Sequence, residues 1–135
     1  MSVSHFRDLE VWQLAMSLAK AIYQLTSTFP REERYGLAAQ LQRAGVSIPS
    51  NIAEGNARSG ATRDYARFIS IALGSAAELQ TQMLLSRELE LGDEVAREKA
   101  LELCDRVGQM LLRLHQALVR RLETESRVPS PESRS

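Results

Sequence analysis

Proline, cysteine, histidine and surplus charge are all scarce in this sequence, and each scarcity excludes something. The four prolines are Pro30, Pro49, Pro129 and Pro131. Two of them fall near the end, so the body of the chain is nearly free of helix breakers. The single cysteine, Cys104, cannot close an internal disulfide, which excludes a disulfide-stapled scaffold. Only two histidines, His5 and His115, are available to a metal or a catalytic base. Seventeen basic residues balance seventeen acidic ones, so the net charge is zero and the basic excess usual in nucleic-acid binders is missing. No apolar run approaches the roughly 20 residues that span a bilayer. With no signal-like apolar start, the expected location is the reducing cytoplasm, away from membranes.

What the chain does contain is helical periodicity. The stretch from Asp8 to about Ser27 repeats apolar residues at steps of three and four: Leu9, Trp12, Met16, Ala19 and Tyr23. Val11, Leu14, Leu18, Ile22 and Leu25 widen that stripe, which suggests neighbours on more than one side. Ser4 or Asp8 is the expected cap, and Pro30 the stop. A second helix is expected from "REERYG" to about Ala57, with Gly36 marking either close packing or a late start. A third runs from Thr62, a natural N-cap, to about Glu90, with Tyr65, Phe68, Ala72, Leu79 and Leu89 on its apolar face. Gly92 closes it, and Asp93 caps a fourth that runs from Glu94 to about Thr124. In that helix Ala100, Leu103, Val107, Leu111, Leu114, Leu118 and Leu122 form a seam. Four long helices with short connections predict an all-α, up-down-up-down four-helix bundle over residues 1–125. Residues 126–135, polar and rich in Pro and Ser, are expected to be a disordered tail.

Pro49 falls inside the second helix, where it removes a hydrogen bond and crowds the carbonyl of Gly45. The helix is expected to continue with a kink near Pro49, with a hydroxyl of Ser47 or Ser50 serving the freed backbone groups. Ala44, Gly45, Ser47, Ser50, Ala53 and Gly55 are all small, so the segment reads as a packing device that lets another helix come close. The competing reading is a polar contact surface of Ser47, Ser50 and Asn51.

Candidate chemistry is thin. A di-iron bundle needs Glu-x-x-His pairs, yet the residue three before His115 is Leu112. Cys104 has acidic neighbours Glu102 and Asp105, which disfavour a reactive thiolate. No P-loop or dinucleotide fingerprint is present. The expectation is therefore a chain without catalytic residues, metal or cofactor. Two polar pairs, Asn51 with Glu54 and Glu78 with Gln82, each share a helix face. With Arg43 they are candidates for a structural network at a helix or subunit contact. Charge is also uneven: residues 71–105 hold three basic residues against eight acids, whereas 106–135 hold six against three. Arg58, Arg63, Arg67, Arg120 and Arg121 would meet at one basic pole of an up-down bundle, a candidate for weak contact with RNA or DNA phosphates.

Four segments carry a resemblance: "FRDLEVWQLA", "FPREERYGL", "RAGVSIPSNIAEG" and "RFISIALGSAAELQTQ", in that order. Together they resemble the bacterial four-helix bundle family first noticed in reading frames within intervening sequences of the large ribosomal RNA, also labelled S23 ribosomal protein. The resemblance covers most of residues 6–92 and includes the polar positions named above. It implies a cytoplasmic bundle that assembles as a ring of five, with no settled activity. A related branch comprises nucleic-acid-binding accessory proteins of diversity-generating retroelements. This chain departs from those in its zero net charge, and from many relatives in having Ala57 rather than glycine. The functional expectation is a homo-oligomeric assembly or adaptor module, with nucleic-acid binding at the basic pole as the alternative.

Overall fold

The computed structural model describes residues 5–127, all of them in helices, turns or short connections. Four helices follow one another: α1 (Glu10–Thr26), α2 (Leu37–Ala57), α3 (Thr62–Glu88) and α4 (Glu94–Arg127). Two single 3-10 turns, Phe6–Asp8 and Arg31–Glu33, precede α1 and α2. Cross-helix neighbours fix the directions. Gln42 donates to Thr26 while Gly45 rests on Ile22, so α2 runs back along α1. The pairs Ser47–Ser75 and Asn56–Tyr65 make α3 antiparallel to α2, and Ser86–Arg97 with Ala76–Cys104 make α4 antiparallel to α3. Each helix packs on two neighbours, α1 closing the square against α4. The four-helix up-down bundle expected from the periodicity is the observed fold.

Twelve large side chains are fully buried between the helices. They are Leu18, Ile22 and Leu25 of α1, Leu41, Ile48 and Ile52 of α2, Ile69, Leu79 and Met83 of α3, and Val107, Leu111 and Leu118 of α4. At about 2 kcal/mol for each large aliphatic side chain taken from water, this layer dominates the favourable side of folding. The broad stripe of α1 is mostly consumed inside the chain; only Met16 and Tyr23 of its large apolar residues stay about half exposed. At 1.5 Å per residue α1 is about 26 Å long and α4 about 51 Å, so the last turns of α4 run on past the start of α1. Among the described residues no helix is long and apolar enough to cross a membrane.

Several boundaries differ from expectation for local reasons. α1 begins after Leu9 with no side-chain cap, so Asp8 does not serve, and Ser4 lies outside the described residues. The preceding turn is stapled instead by His5, whose Nδ1 accepts from the Arg7 N–H, and by Phe6 edge-on to Trp12. α2 starts late, after Gly36, where the Glu33 carboxylate accepts from the Leu37 N–H. Thr62 is not the N-cap of α3: Ala61 holds that place, and the Thr62 hydroxyl donates across to Glu125 at 2.8 Å. α3 ends through Glu90 at φ 56°, with the Leu91 N–H reaching back to the Ser86 carbonyl. Gly92 also has a positive φ, of 82°, but its task is proximity: a Cβ there would stand 2.5 Å from Phe29. Asp93 caps α4 as expected, accepting from the Ala96 N–H. α4 continues to Arg127, so Ser126 and Arg127 are helical rather than tail, and the rest of the expected tail lies outside the described residues.

Candidate functional site

Pro49 sits inside an unbroken α2, and no irregular turn interrupts it. The ring is buried, and the Gly45 carbonyl it faces has lost its helical donor. The hydroxyls expected to repair this are used otherwise. Ser47 Oγ pairs with Ser75 Oγ at 2.9 Å, binding α2 to α3, and also accepts from Asn51 Nδ2 at 3.0 Å. Asn51 gives a second hydrogen bond to the Ser47 carbonyl. Ser50 is exposed and bonds to nothing among the described residues. Of the small residues, Ser47 and Gly55 bring α2 close to α3, a Cβ on Gly55 standing 3.0 Å from Tyr65 and Phe68, whereas Gly45 lies against Ile22 of α1; the α2–α3 pair makes the most extensive contact in the bundle.

The five candidates for a polar network do not assemble within the chain. Arg43, Glu54 and Glu78 are exposed, Asn51 is turned to Ser47, and Gln82 is buried with no partner for its Oε1. No hydrogen bond or ion pair joins any two of the five among the described residues. Glu54 is engaged instead by Arg58, whose guanidinium lies 3.8 Å from its carboxylate and donates to its carbonyl.

The arginine-rich pole is built by the end of α2, the start of α3 and the end of α4. Arg58 and Arg67 converge on one ring: their guanidinium carbons stand 4.7 Å and 4.6 Å from the centre of Phe68. This cation–π arrangement orients both charges, of which that of Arg58 is also paired with Glu54. The periodicity of the sequence places Phe68 only on an apolar face. Its position ten residues after Arg58 and one after Arg67, across a helix-to-helix turn, is the signal that could have grouped them. Arg63 lines a shallow cleft with Asp64, Leu122 and Glu125. Arg120 and Arg121 are exposed on α4 and bond to none of the other three.

The pole is less basic than the arginines alone suggest. Residues 5–10, 54–68 and 113–127 carry eight arginines and six acids, a net of +2. The opposite end, residues 26–37 and 87–99, carries five basic groups and seven acids, a net of −2. That end is held by contacts the sequence did not reveal. Thr28 Oγ1 accepts from the Asp93 N–H at 2.8 Å, tying the α1–α2 turn to the α3–α4 turn. Arg97 is buried and donates to the Leu91 carbonyl at 2.6 Å and weakly to Ser86, so it braces the connection it follows.

Burial first, and the Asp105 charge second, push the Cys104 thiol up to about 11, away from the thiolate form a nucleophile needs. Its Sγ donates to the Ala76 carbonyl. His115 is half-buried on α4. Among the described residues no three His, Cys, Asp or Glu side chains cluster closely enough to hold a metal ion. A cleft of about 430 Å³ lies against the α1–α2 turn between Tyr23, Phe29, Arg31, Arg34 and Gln42.

With this geometry in view, one protein-family model matches the chain over residues 7–113, the family described as 23S rRNA-intervening sequence protein. No curated protein matches the chain.

Proposed function

Because the chain belongs to the 23S rRNA-intervening sequence protein family, we propose that it works as a homo-oligomeric, non-catalytic assembly or adaptor module of the reducing cytoplasm. A ring of five is the stoichiometry that the family resemblance implies. The observation that carries the reading is the apolar surface left outside the closed bundle, including Met16 and Tyr23 on α1, Val46 on α2, and Ile71 and Leu85 on α3. Such residues belong at a contact rather than in water when they share a face. The buried, poorly acidic Cys104 supports the non-catalytic part, because the best nucleophile in the chain is both inaccessible and protonated. Sedimentation equilibrium at micromolar concentration tests it. The expected mass is about five times the 15.1 kDa subunit; a single-subunit mass overturns the reading.

A second reading rests on the two guanidinium groups held over Phe68. In it, Arg58 and Arg67, flanked by Arg63, Arg120 and Arg121, contact the phosphates of RNA or DNA weakly, and repetition of the pole in an oligomer raises the avidity. Fluorescence anisotropy with single-stranded RNA decides it. The expected result is binding that weakens steeply between 50 and 200 mM salt and is lost in the Arg58→Ala/Arg67→Ala double variant. No binding at low salt removes it.

A further inference from the structure

Charge is unevenly spread over the helices: α1 has two charged residues among 17, Glu10 and Lys20. α2 has two charged residues among 21, Arg43 and Glu54. α3 between Ile69 and Ser86 has one among 18, Glu78. α4 carries 13 among 34. The sparse charge of α2 and α3 coincides with exposed apolar groups: Val46, Ile71 and Leu85 are 43%, 41% and 47% exposed. At 100° per residue, Val46 lies on the outward strip of α2 with Arg43 and Ser50, while Ile71 and Leu85 lie on the outward strip of α3 with Glu78. A helix face that meets only water bears charges; one with few charges, large aliphatic groups and small spacers has the make-up of an interface core.

The charges that remain say what covers it. Arg43 and Glu78 are both exposed, and neither has an ion-pair partner among the described residues. Their heights along the bundle follow from the Ser47–Ser75 hydrogen bond. Arg43 stands four residues before Ser47 and Glu78 three after Ser75, on antiparallel helices. At 1.5 Å per residue the two are level to within about 2 Å. Rotation about an axis parallel to the helices leaves height unchanged. A face with one free cation and one free anion at the same level therefore complements a rotated copy of itself. We propose that the α2/α3 face is where copies of this chain meet, Arg43 of one copy pairing with Glu78 of the next. The inference rests on the homo-oligomer reading and adds the surface and the pair that join the subunits.

Charge reversal tests it, with sedimentation velocity as the readout and circular dichroism to verify folding. Both positions are exposed, so Arg43→Glu and Glu78→Arg are expected to fold as the wild type does. Each reversal is expected to weaken association at least tenfold, and the double reversal to restore it. When the two single variants carry different tags and are mixed, they are expected to co-purify, because each supplies the charge the other lacks. A pair within one subunit cannot give that trans rescue. An oligomeric wild type whose mass neither reversal changes overturns the inference and leaves the homo-oligomer standing; so does lost association that neither the double reversal nor mixing restores. A monomeric wild type instead overturns the homo-oligomer reading itself.

Discussion

Glu90 holds a backbone angle that few side chains tolerate. Its φ of 56° ends α3, a place where glycine is usual, and the left-handed conformation costs roughly 1 kcal/mol for a residue with a Cβ. Glu90→Gly is therefore expected to raise stability by somewhat under about 1 kcal/mol, the flexibility added to the unfolded chain taking back part of the gain; the urea midpoint measures it. Cys104 predicts a pH dependence. Its folded pKa of about 11 lies above the unfolded value of 9.0, so the unfolded chain releases the proton first. The thiol's contribution is fully present below pH 9 and is lost between pH 9 and about 11, at up to about 1.4 kcal/mol per pH unit. Denaturant titrations of wild type and Cys104→Ala over that range give the comparison, the variant showing the shallower fall. The burial of Cys104 was legible in its place one residue along from the Leu103 seam, and the structure buries it although its neighbours Glu102 and Asp105 are both exposed.

At the scale of the element, Pro49 and Gly92 show opposite uses of special backbone residues. Pro49 withholds a donor from Gly45 in the middle of α2, a cost of about 3 kcal/mol against alanine, while its ring fills a buried position. Pro49→Ala restores the hydrogen bond and removes about two buried methylene groups, worth about 0.8 kcal/mol each. The expected balance is a gain of about 1 kcal/mol in thermal or chemical unfolding. At Gly92 a Cβ would collide with the Phe29 ring in a backbone region that already disfavours side chains. Gly92→Ala is expected to cost at least about 2 kcal/mol, read by the same unfolding midpoint, by forcing Phe29 out of its place between the two turns. Helix ends were legible where a local signal decides them, Asp93 as a cap and Pro30 as a stop, while Gly36 left a late start and close packing both open until the structure showed the late start. They were not legible where a distant residue intervenes, as when Glu125 draws the Thr62 hydroxyl away from capping α3.

For the whole molecule, association should appear as concentration-dependent stability. A folded oligomer in equilibrium with unfolded single chains melts higher as protein concentration rises. The Tm of the wild type is expected to climb by several degrees between micromolar and hundred-micromolar protein, and Arg43→Glu to flatten that climb. A concentration-independent Tm in differential scanning calorimetry would count against the oligomer reading.

The number of helices, their approximate limits and the bundle they form were written in the period of the apolar residues and the rarity of proline, because both act locally along the chain. Which sector of each helix stays outside was not, because helical periodicity describes a circumference without saying how much of it two neighbours cover. The broad stripe of α1 pointed to neighbours on more than one side, and α2 and α4 cover most of it, leaving Met16 and Tyr23 outside, while α2 and α3 keep a charge-poor strip in the open. The arginine pair over Phe68, the Thr28–Asp93 tie and the dispersal of the Arg43, Asn51, Glu54, Glu78 and Gln82 set were likewise decided by tertiary structure. Those contacts depend on distances between segments far apart in the chain, which only the packed bundle sets.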